Sequence, residues 1–536
     1  MTVSNRLHLL AFASLGLAGS VLILYATAWG PVIFSDSVGY LAVARNMLAG
    51  KGVGVYEASG GFSLMVIHPP FYPLVLAFFG MAGIDAVVAT RWLQALFFGL
   101  LVFLFGLGLL RLASSRLLAL AGALAFLLSP LLLYLFTLAM TEPLFIFLSV
   151  LAALGLLRAL KQERQAWLVV AAVCVALALM TRYVGMAWVA AGALWVLLFW
   201  PGGWQRRLVS LAWYGCVSVL PFVLWQGWLM FFADAPARTR TGVPLGQSLA
   251  EFRLAVVDIF WAWLPFSAQL PQVHYRIKLL VLLLLAGVGI GFVLAAAWRL
   301  AKRTAGGGWC AMQQEPFLRA SALLWFALLS YLGVAAAGYA FSDPTPDLNE
   351  RTLAMAVPIG MALAFVACAA VYRAWPAHAW KHGFPLLFAA VVIASGMPQS
   401  LQLLGDYHRE GYGYLGQRWR LSATRLAAAE LPADVPLISN EYSALGFWLG
   451  RPVYPIHEVV ALQPQALDAR FGDDGSDDAQ QVFRRQGAAL VLFDNIRWQL
   501  DALYFEQTPE RLDAMIRDLD VYGDYADGAI YFYPTP

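Results

Sequence analysis

Long apolar runs separated by short polar segments fill the first 400 residues of the chain. A helix that crosses a bilayer needs about 20 predominantly apolar residues, and most of these runs are that long. We predict eleven spans, at about residues 8–29, 87–110, 117–136, 139–160, 166–182, 184–200, 209–232, 277–298, 320–341, 352–372 and 384–404. This pattern predicts an all-α polytopic membrane protein with about 11 transmembrane helices.

The pattern changes at about residue 405, where the long apolar runs stop and charged residues become frequent. Runs typical of short strands occur at Pro436–Asn440, Ala489–Asp494 and Ala529–Tyr533. Helical stretches are predicted between them, at Glu441–Leu449, Asp478–Gln486 and Pro509–Leu519. Such alternation predicts a small α/β domain. We therefore divide the chain into a transmembrane domain at 1–404 and a soluble domain at 405–536.

The composition agrees with this division. Of the 536 residues 61% are hydrophobic and 12% are charged, which excludes a soluble protein of this size. Lys and Arg gather in alternate loops, and Asp and Glu prevail in the others. Because cytoplasmic loops collect positive charge, we place the N-terminus in the cytoplasm and the domain at 405–536 outside, in the periplasm. The net charge of +3 averages these two faces, and the sequence shows no nucleic-acid-binding pattern.

The first outer loop, residues 30–86, contains an acid close to the membrane surface. Asp36 precedes a predicted interfacial helix at 37–49, and Tyr40 lies one turn from it. Because a charge held against a bilayer is costly, we favour a functional role for Asp36. The structural alternative is that Asp36 is the N-cap of this helix and that Gly50 ends it in a left-handed conformation.

The same loop ends in a second short helix. His68 precedes two prolines, which forbid helix directly before them and permit a new helix behind them. The apolar stretch at 71–83 is shorter than a span, so we expect it to lie along the outer leaflet. The two interfacial helices are predicted to bracket a pocket.

A second acid, Glu142, opens the predicted fourth span together with Pro143. Proline is ordinary in a first helical turn, and the helix dipole favours a glutamate there, so a structural role is one interpretation. The other is functional, because a carboxylate at the mouth of an otherwise uncharged span can face Asp36 on the same outer side. We favour the functional interpretation.

Three further segments place cations on the outer side. Arg182 lies between the fifth and sixth predicted spans, where snorkelling of a long side chain to water is the structural alternative. Arg351 leads into the tenth span, where it can pair with the acids just before it or reach an anionic ligand. The loop at 233–276 interleaves aromatic and basic residues and includes His274, which suits a lipid phosphate at the interface.

These segments, in this order, resemble the GT-C fold glycosyltransferases of the superfamily that contains the protein O-mannosyltransferases and the aminoarabinose (lipid A) transferases. The resemblance rests on Asp36 and Tyr40 in the first outer loop, a Pro-Pro-Phe-Tyr run ending at Tyr72, Glu142-Pro143-Leu144, and the soluble C-terminal domain. It implies transfer of a sugar from a polyprenyl-phosphate donor to a hydroxyl of a glycan, lipid or protein, with inversion, at the outer face of the cytoplasmic (inner) membrane.

The resemblance also implies roles for single residues. Asp36 matches the catalytic aspartate, and His68 stands where relatives often have a lysine. Glu142 matches a second acidic position, which is associated with a divalent metal in some members. Ser37 stands where many relatives have another acid, so the metal requirement is left open.

The chemistry of such a donor needs few protein groups. The leaving group is a phosphate anion that requires no protonation, so one carboxylate, Asp36, can serve as the base for the acceptor hydroxyl. His68, Arg351 and Arg182 are predicted to bind the donor phosphate. The residues predicted to bind substrate are Tyr40, Tyr72 and His274. We expect the soluble domain to be dispensable for the chemistry and to govern acceptor choice.

Three other functions remain as alternatives. A transporter or lipid flippase usually has its ionisable groups near the bilayer midplane, whereas this sequence gathers them outside the spans. A polysaccharide polymerase or ligase with a pyrophosphate-linked donor would share the outer-face chemistry. A structural assembly protein would give the polar residues no purpose. For the transferase function, we predict one outer cavity, which is lined by Asp36, Tyr40, His68, Glu142 and Arg351.

Overall fold

The structure, a computed structural model, describes most of the chain. The described residues are 3–57, 61–113, 115–233, 245–265, 267, 270, 272–302, 315–341, 348–375, 380–456, 487–496, 516–517 and 519–533. The chain divides into two compact units. The first unit comprises Met1–Ala28, Val66–Leu76 and Val87–Arg409, and the second comprises Trp29–Met65, Ala77–Ala86 and Glu410–Pro536. The domain boundary expected after residue 404 stays a prediction.

Helices account for most of the secondary structure. They are α1 Val3–Ala26, α2 Ser35–Leu48, α3 Phe71–Met81, α4 Ala86–Ala113, α5 Arg116–Leu127, α6 Pro130–Thr137, α7 Glu142–Gln162, α8 Gln165–Leu179, α9 Met186–Phe199, α10 Trp204–Phe232, α11 Leu245–Ala262, α12 Tyr275–Ala301, α13 Pro316–Phe341, α14 Ala356–Ala374, α15 Trp380–Glu410, α16 Gln417–Arg420, α17 Ala423–Glu430 and α18 Tyr442–Leu449. The strands are β1 Gly54–Tyr56, β2 Phe62–Leu64, β3 Leu437–Ser439, β4 Tyr454–Pro455, β5 Ala489–Phe493, β6 Asp520–Tyr525 and β7 Gly528–Phe532.

Among the described residues, eight helices are long and apolar enough to cross a membrane. They are α1, α4, α7, α10, α12, α13, α14 and α15. A ninth span results if α5 and α6 are taken together, although the chain bends by 51° between them. The chain is therefore a multi-pass membrane protein, as predicted.

The predicted count of eleven spans is not confirmed, and the difference lies in three of the predicted segments. The run at 117–136 is broken before Pro130, because proline cannot donate the hydrogen bond that a continuous helix needs there. The fifth and sixth predicted spans are found as the shorter apolar helices α8 and α9. At 1.5 Å per residue, the 15 residues of α8 extend about 22 Å, less than the hydrocarbon core of about 30 Å.

The first unit packs through apolar faces. One buried cluster forms where α1, α4, α5, α14 and α15 meet, and its largest members are Phe12, Leu109 and Phe365. The helices α7 and α8 pack side by side, as do α9 and α13. Because a short turn joins α7 to α8, the two run in opposite directions, and the first residue of α7 lies beside the end of α8.

The second unit contains a five-stranded sheet with the order β4-β3-β5-β7-β6. The strand β3 pairs in parallel with β4 and β5, whereas β7 pairs antiparallel with β5 and β6. All residues of β5 are buried, and Trp419, Leu437 and Ile530 pack in the same core. The predicted strands correspond to β3, β5 and β7, and the helix predicted from Glu441 is α18. The helices predicted at 478–486 and 509–519 lie outside the described residues, apart from 516, 517 and 519.

The second unit also contains the interfacial helix predicted from the sequence. This helix, α2, begins two residues earlier than expected, and its N-cap is Phe34, whose backbone N–H donates to Ser37 Oγ at 3.1 Å. The interpretation of Asp36 as the N-cap is therefore wrong, and Asp36 lies in the first turn. Gly50 follows the helix end with φ of +72°, as predicted. The second helix, α3, ends at Met81, two residues before its predicted end.

Candidate active site

Glu142 is the first residue of α7, and its side chain is 1% exposed. Pro143 fits the first turn, and the helix dipole favours a negative charge there, as the sequence predicts. These local effects do not offset the cost of burying a carboxylate, which needs charged or hydrogen-bonding partners. The structure supplies two such partners.

Two arginines converge on the same oxygen of this acid. Arg182 Nη1 lies 2.7 Å from Glu142 Oε1, and Arg351 Nε lies 3.5 Å from it. Arg182 Nη1 also donates a hydrogen bond to Thr141 Oγ1 at 3.0 Å. The arginine side chains are 23% and 25% exposed. We call Glu142, Arg182 and Arg351 the arginine–glutamate cluster, and the snorkelling interpretation of Arg182 is wrong because its guanidinium group faces the buried acid.

Helix ends hold both arginines in place. Arg182 follows α8, and its backbone carbonyl accepts a hydrogen bond from Gly185 N at 2.8 Å. Arg351 lies in the turn before α14, where Thr352 N donates to Asn349 Oδ1 at 3.0 Å. The hydroxyl of the buried Tyr331, on α13, donates to Thr352 O at 2.7 Å. The turn that carries Arg351 is thus fixed from two sides.

The segment before Glu142 is anchored as well. The buried Gln94 of α4 donates from Nε2 to Leu138 O at 2.7 Å. Arg351 Nη2 lies 3.8 Å from Met140 Sδ, two residues before the acid. The chain that leads into α7 is therefore held by α4, and the position of Glu142 does not depend on the arginines alone.

The segment with His68 and Tyr72 is attached to the same part of the first unit. Phe71 N donates to Met180 O at 3.0 Å, and Tyr183 OH donates to Val66 O at 3.3 Å. These bonds join the segment at 66–72 to the turn that carries Arg182. His68 is half-buried there. Tyr72 is buried, and its hydroxyl lies 3.1 Å from Thr90 Oγ1.

The resemblance raised a divalent metal at Glu142, and the residues around this acid do not fit one. The oxygen that would bind the cation lies beside two guanidinium groups, which repel a metal ion. In the described part of the chain, no three His, Cys, Asp or Glu side chains are grouped so that they could hold a metal. Oxygen-rich ligand sets are what Mg²⁺ and Mn²⁺ require. The surroundings of Glu142 therefore do not suit a divalent metal.

The second unit positions the predicted base, Asp36. Its side chain is exposed in the first turn of α2, and Tyr40, one turn further, is 3% exposed. At the other end of the helix, Arg45 Nη2 lies 3.1 Å from Asp85 Oδ2, and both side chains are half exposed. The predicted substrate contact of Tyr40 stays a prediction.

A short segment at 411–416, which we call the strap, binds the chain directly before α2. Tyr414 N donates to Ile33 O at 2.9 Å, and Ile33 and Gly413 form a parallel β-bridge. The rings of Phe34 and Tyr412 pack edge to face, with centroids 5.8 Å apart. Gly413 has φ of +67°, and a Cβ there would lie 2.5 Å from Ile33 O. The close approach therefore requires glycine.

The strap brings C-terminal side chains to the start of α2. Burial raises the pKa of Tyr414, and the charges of Glu441, Tyr442 and Asp36 raise it further. Trp448, on α18, donates from Nε1 to Tyr414 O at 2.8 Å, and α18 packs against α2. The raised pKa keeps the Tyr414 hydroxyl neutral.

The sequence did not reveal some of these groups. It did not select Tyr414 or Glu441, although the glycine-rich Gly411-Tyr412-Gly413 run indicated an unusual backbone contact. The expectation that the C-terminal domain is dispensable for the chemistry stays a prediction. His274 is exposed at the N-cap of α12, where Nδ1 accepts from Arg276 N at 3.3 Å. Its predicted substrate contact stays a prediction, as does the single cavity.

Comparison with known proteins supplies independent information on family and fold. A family model of dolichyl-phosphate-mannose–protein mannosyltransferases matches residues 39–237. The archaeal oligosaccharyltransferase AglB from Archaeoglobus fulgidus, solved with an inhibitory peptide and a dolichol-phosphate, is 14% identical, with a TM-score of 0.50 over 100% of this chain and 75% of that one. No curated protein sequence matches the chain.

Two other solved structures are similar. The arabinofuranosyltransferase AftD from mycobacteria is 16% identical, with a TM-score of 0.50 over 100% of this chain and 40% of that one. ArnT from Cupriavidus metallidurans, in the apo state, is 17% identical, with a TM-score of 0.48 over 99% of this chain and 98% of that one. The GT-C fold, the resemblance to the mannosyltransferases and the enzyme class, a glycosyltransferase, are confirmed.

Proposed function

We propose that the protein transfers a sugar from a polyprenyl-phosphate donor to a hydroxyl of a glycan, lipid or protein, with inversion at the anomeric carbon. The observation that carries this proposal is the arginine–glutamate cluster, in which a buried acid holds two partly exposed guanidinium groups. Guanidinium groups bind phosphate oxygens through two parallel hydrogen bonds. The match to a family named for a dolichyl-phosphate sugar supports the same donor class.

In the proposed step, Asp36 is the base. The acceptor oxygen forms a bond to the anomeric carbon while its proton passes to the Asp36 carboxylate. The bond between that carbon and the donor phosphate oxygen breaks, and its electron pair leaves with the polyprenyl phosphate. Attack from the side opposite the phosphate inverts the configuration. One carboxylate suffices because the leaving anion needs no proton.

The donor phosphate is assigned to Arg182, Arg351 and His68. The two guanidinium charges, together with the imidazole of His68, would stabilise the negative charge that builds up on the leaving phosphate. His68 belongs to the segment bonded to the turn of Arg182, which supports its assignment to the same group. We further assign the reaction to the outer face of the cytoplasmic membrane, because positive charge in the alternate loops places the N-terminus inside.

Lipid analysis and donor turnover test the proposal together. Mass spectrometry of the detergent-purified protein should detect a phosphopolyprenol, with or without its sugar. The sugar-bearing form of this lipid can then be supplied as donor, with envelope extract as the source of acceptor. The protein should release free polyprenyl phosphate and form a glycosylated product. Purified protein that has then been heat-denatured is the control for the turnover measurement.

A transporter or flippase gives a different result in the same experiment. It would move the lipid between leaflets of a vesicle and leave the bond between sugar and phosphate intact. Donor that remains intact with active extract, or co-purification of glycerophospholipids alone, would overturn the transferase proposal. A pyrophosphate-linked lipid would identify the polymerase or ligase alternative.

A further inference from the structure

The two arginines of the arginine–glutamate cluster approach the same oxygen of one buried acid. Arg182 Nη1 and Arg351 Nε lie 2.7 and 3.5 Å from one oxygen, so the two nitrogens are at most 6.2 Å apart, the sum of these distances. Like charges at this distance repel, and the repulsion is stronger where water is excluded. The carboxylate between them offsets this repulsion.

The three side chains differ in their access to a ligand. Glu142 is 1% exposed, whereas Arg182 and Arg351 are 23% and 25% exposed. A ligand can therefore reach the guanidinium groups, and the acid acts on it only through them. The three residues also come from three separate helix ends, so their convergence is a product of the tertiary fold.

We propose that Glu142 is a positioning residue that holds the guanidinium groups of Arg182 and Arg351 together for the donor phosphate, and that it does not bind a metal. This inference rests on the proposed function, because it assumes a phosphate donor. It goes beyond that function by giving the second acid a role that differs from the one implied by the family resemblance.

The proposal predicts a specific effect of removing the charge. Glu142→Gln retains the size of the side chain and places an uncharged amide between two cations. The guanidinium groups then repel each other without compensation and separate, so the donor phosphate loses a preorganised pair of ligands. An ion pair that is only structural would change stability and leave the affinity of the folded protein for the lipid unchanged.

Binding of undecaprenyl phosphate to the full-length protein in detergent tests this directly. We expect Glu142→Gln to raise the Kd by at least about tenfold, and Glu142→Asp, which keeps the charge, to raise it less. The matched control is Glu315→Gln, because Glu315 is also an acid paired with an arginine: its Oε2 lies 3.8 Å from Arg373 Nη2. This pair lies at the start of α13 and the end of α14, whereas Arg351 lies before the start of α14. The Kd of this control should equal that of the wild type.

A chelator separates positioning from metal binding. EDTA should leave the wild-type Kd unchanged, and added Mg²⁺ or Mn²⁺ should not restore binding to Glu142→Gln. Loss of wild-type binding in EDTA, or recovery of the variant with a divalent cation, would overturn the inference. So would an unchanged Kd in a folded Glu142→Gln protein.

A double-mutant cycle gives the sharpest result. In an Arg351→Gln background, Arg182 is the one arginine left in the arginine–glutamate cluster. There is then no repulsion between guanidinium groups for Glu142 to offset. Glu142→Gln should then raise the Kd by a smaller factor than it does in the wild type. Equal factors in both backgrounds would contradict the proposal. Wild-type protein that fails to bind undecaprenyl phosphate at all would instead count against the proposed function.

Discussion

Asp36 and Glu142 look alike in the sequence, since each is an acid at the start of a predicted helix after an apolar segment. The structure gives them opposite surroundings. Glu142, in the first unit, is buried beside two arginines. Asp36, in the second unit, is exposed on a helix whose start is held by backbone bonds to the strap.

This difference separates the roles of the two acids. A general base must come within hydrogen-bond distance of the proton that it accepts, which an exposed carboxylate can do. A carboxylate that is 1% exposed behind two guanidinium groups is closed to a substrate hydroxyl. Position in a helix alone therefore does not distinguish the two acids as candidate bases, whereas burial and charged neighbours do.

Among the predicted substitutions, replacement of Asp36 should reduce activity the most. Asp36→Asn retains shape and removes the ability to accept a proton, so sugar transfer should fall by about 10²–10⁴-fold. Binding of undecaprenyl phosphate should stay at the wild-type level, because the proposed phosphate ligands belong to the first unit. The measurements are initial rates of product formation and lipid Kd.

Asp85→Asn is the matched control for this substitution. Asp85 is an exposed acid of the same unit and pairs with Arg45 of α2. Its rate should stay within about twofold of the wild type, since exposed pairs contribute about 0–1 kcal/mol. If folded Asp36→Asn transferred sugar at the normal rate, Asp36 would not be the base.

The second effect concerns stability and the cluster of the first unit. Arg182→Gln removes the closer cation from a buried acid, and breaking a buried pair costs about 3 kcal/mol or more. We expect a clearly lower Tm of the purified protein. Arg45→Gln, which removes a half-exposed pair from the second unit, should shift the Tm little. Equal shifts would mean that burial does not distinguish the two pairs.

The smallest effect tests how the strap positions Asp36. Gly413→Ala places a Cβ against Ile33 O and also strains a backbone with φ of +67°. Gly450→Ala imposes the same backbone strain, of about 1–2 kcal/mol, because Gly450 also has φ of +67°. Its new Cβ has no other atom within 4 Å. The transfer rate should therefore fall in Gly413→Ala, by roughly tenfold, and stay near normal in Gly450→Ala. Equal rates in the two variants would show that the strap does not position the base.

Much of the architecture could be predicted because its signals are local. The apolar runs gave the positions of the helices, and the strands β3, β5 and β7 were recognised from short apolar stretches. The number of spans could not be predicted in the same way, because hydropathy does not reveal the bend before Pro130 or the short length of α8. The N-cap at Phe34 was missed because Ser37 supplies the capping oxygen from inside the helix.

The candidate residues show the same limit. The sequence selected Asp36, Glu142, Arg182 and Arg351, because charged residues beside apolar spans stand out. It could not pair them, and Arg351 was expected to meet neighbouring acids or an anionic ligand. It also passed over Tyr414, which is far from α2 along the chain and binds the segment before α2 through the strap.

The multi-pass helical class can therefore be predicted from the sequence, as can the place of the α/β segment and the charged residues outside the spans. Hydrophobic length and periodicity act between neighbours in the chain and are visible without the fold. The tertiary structure decided that Arg182 and Arg351 share one oxygen of Glu142 and that Asp36 remains exposed. Glu142 and Arg351 are 209 positions apart in the sequence and meet because the ends of their helices pack together. Such a contact cannot be read from local patterns.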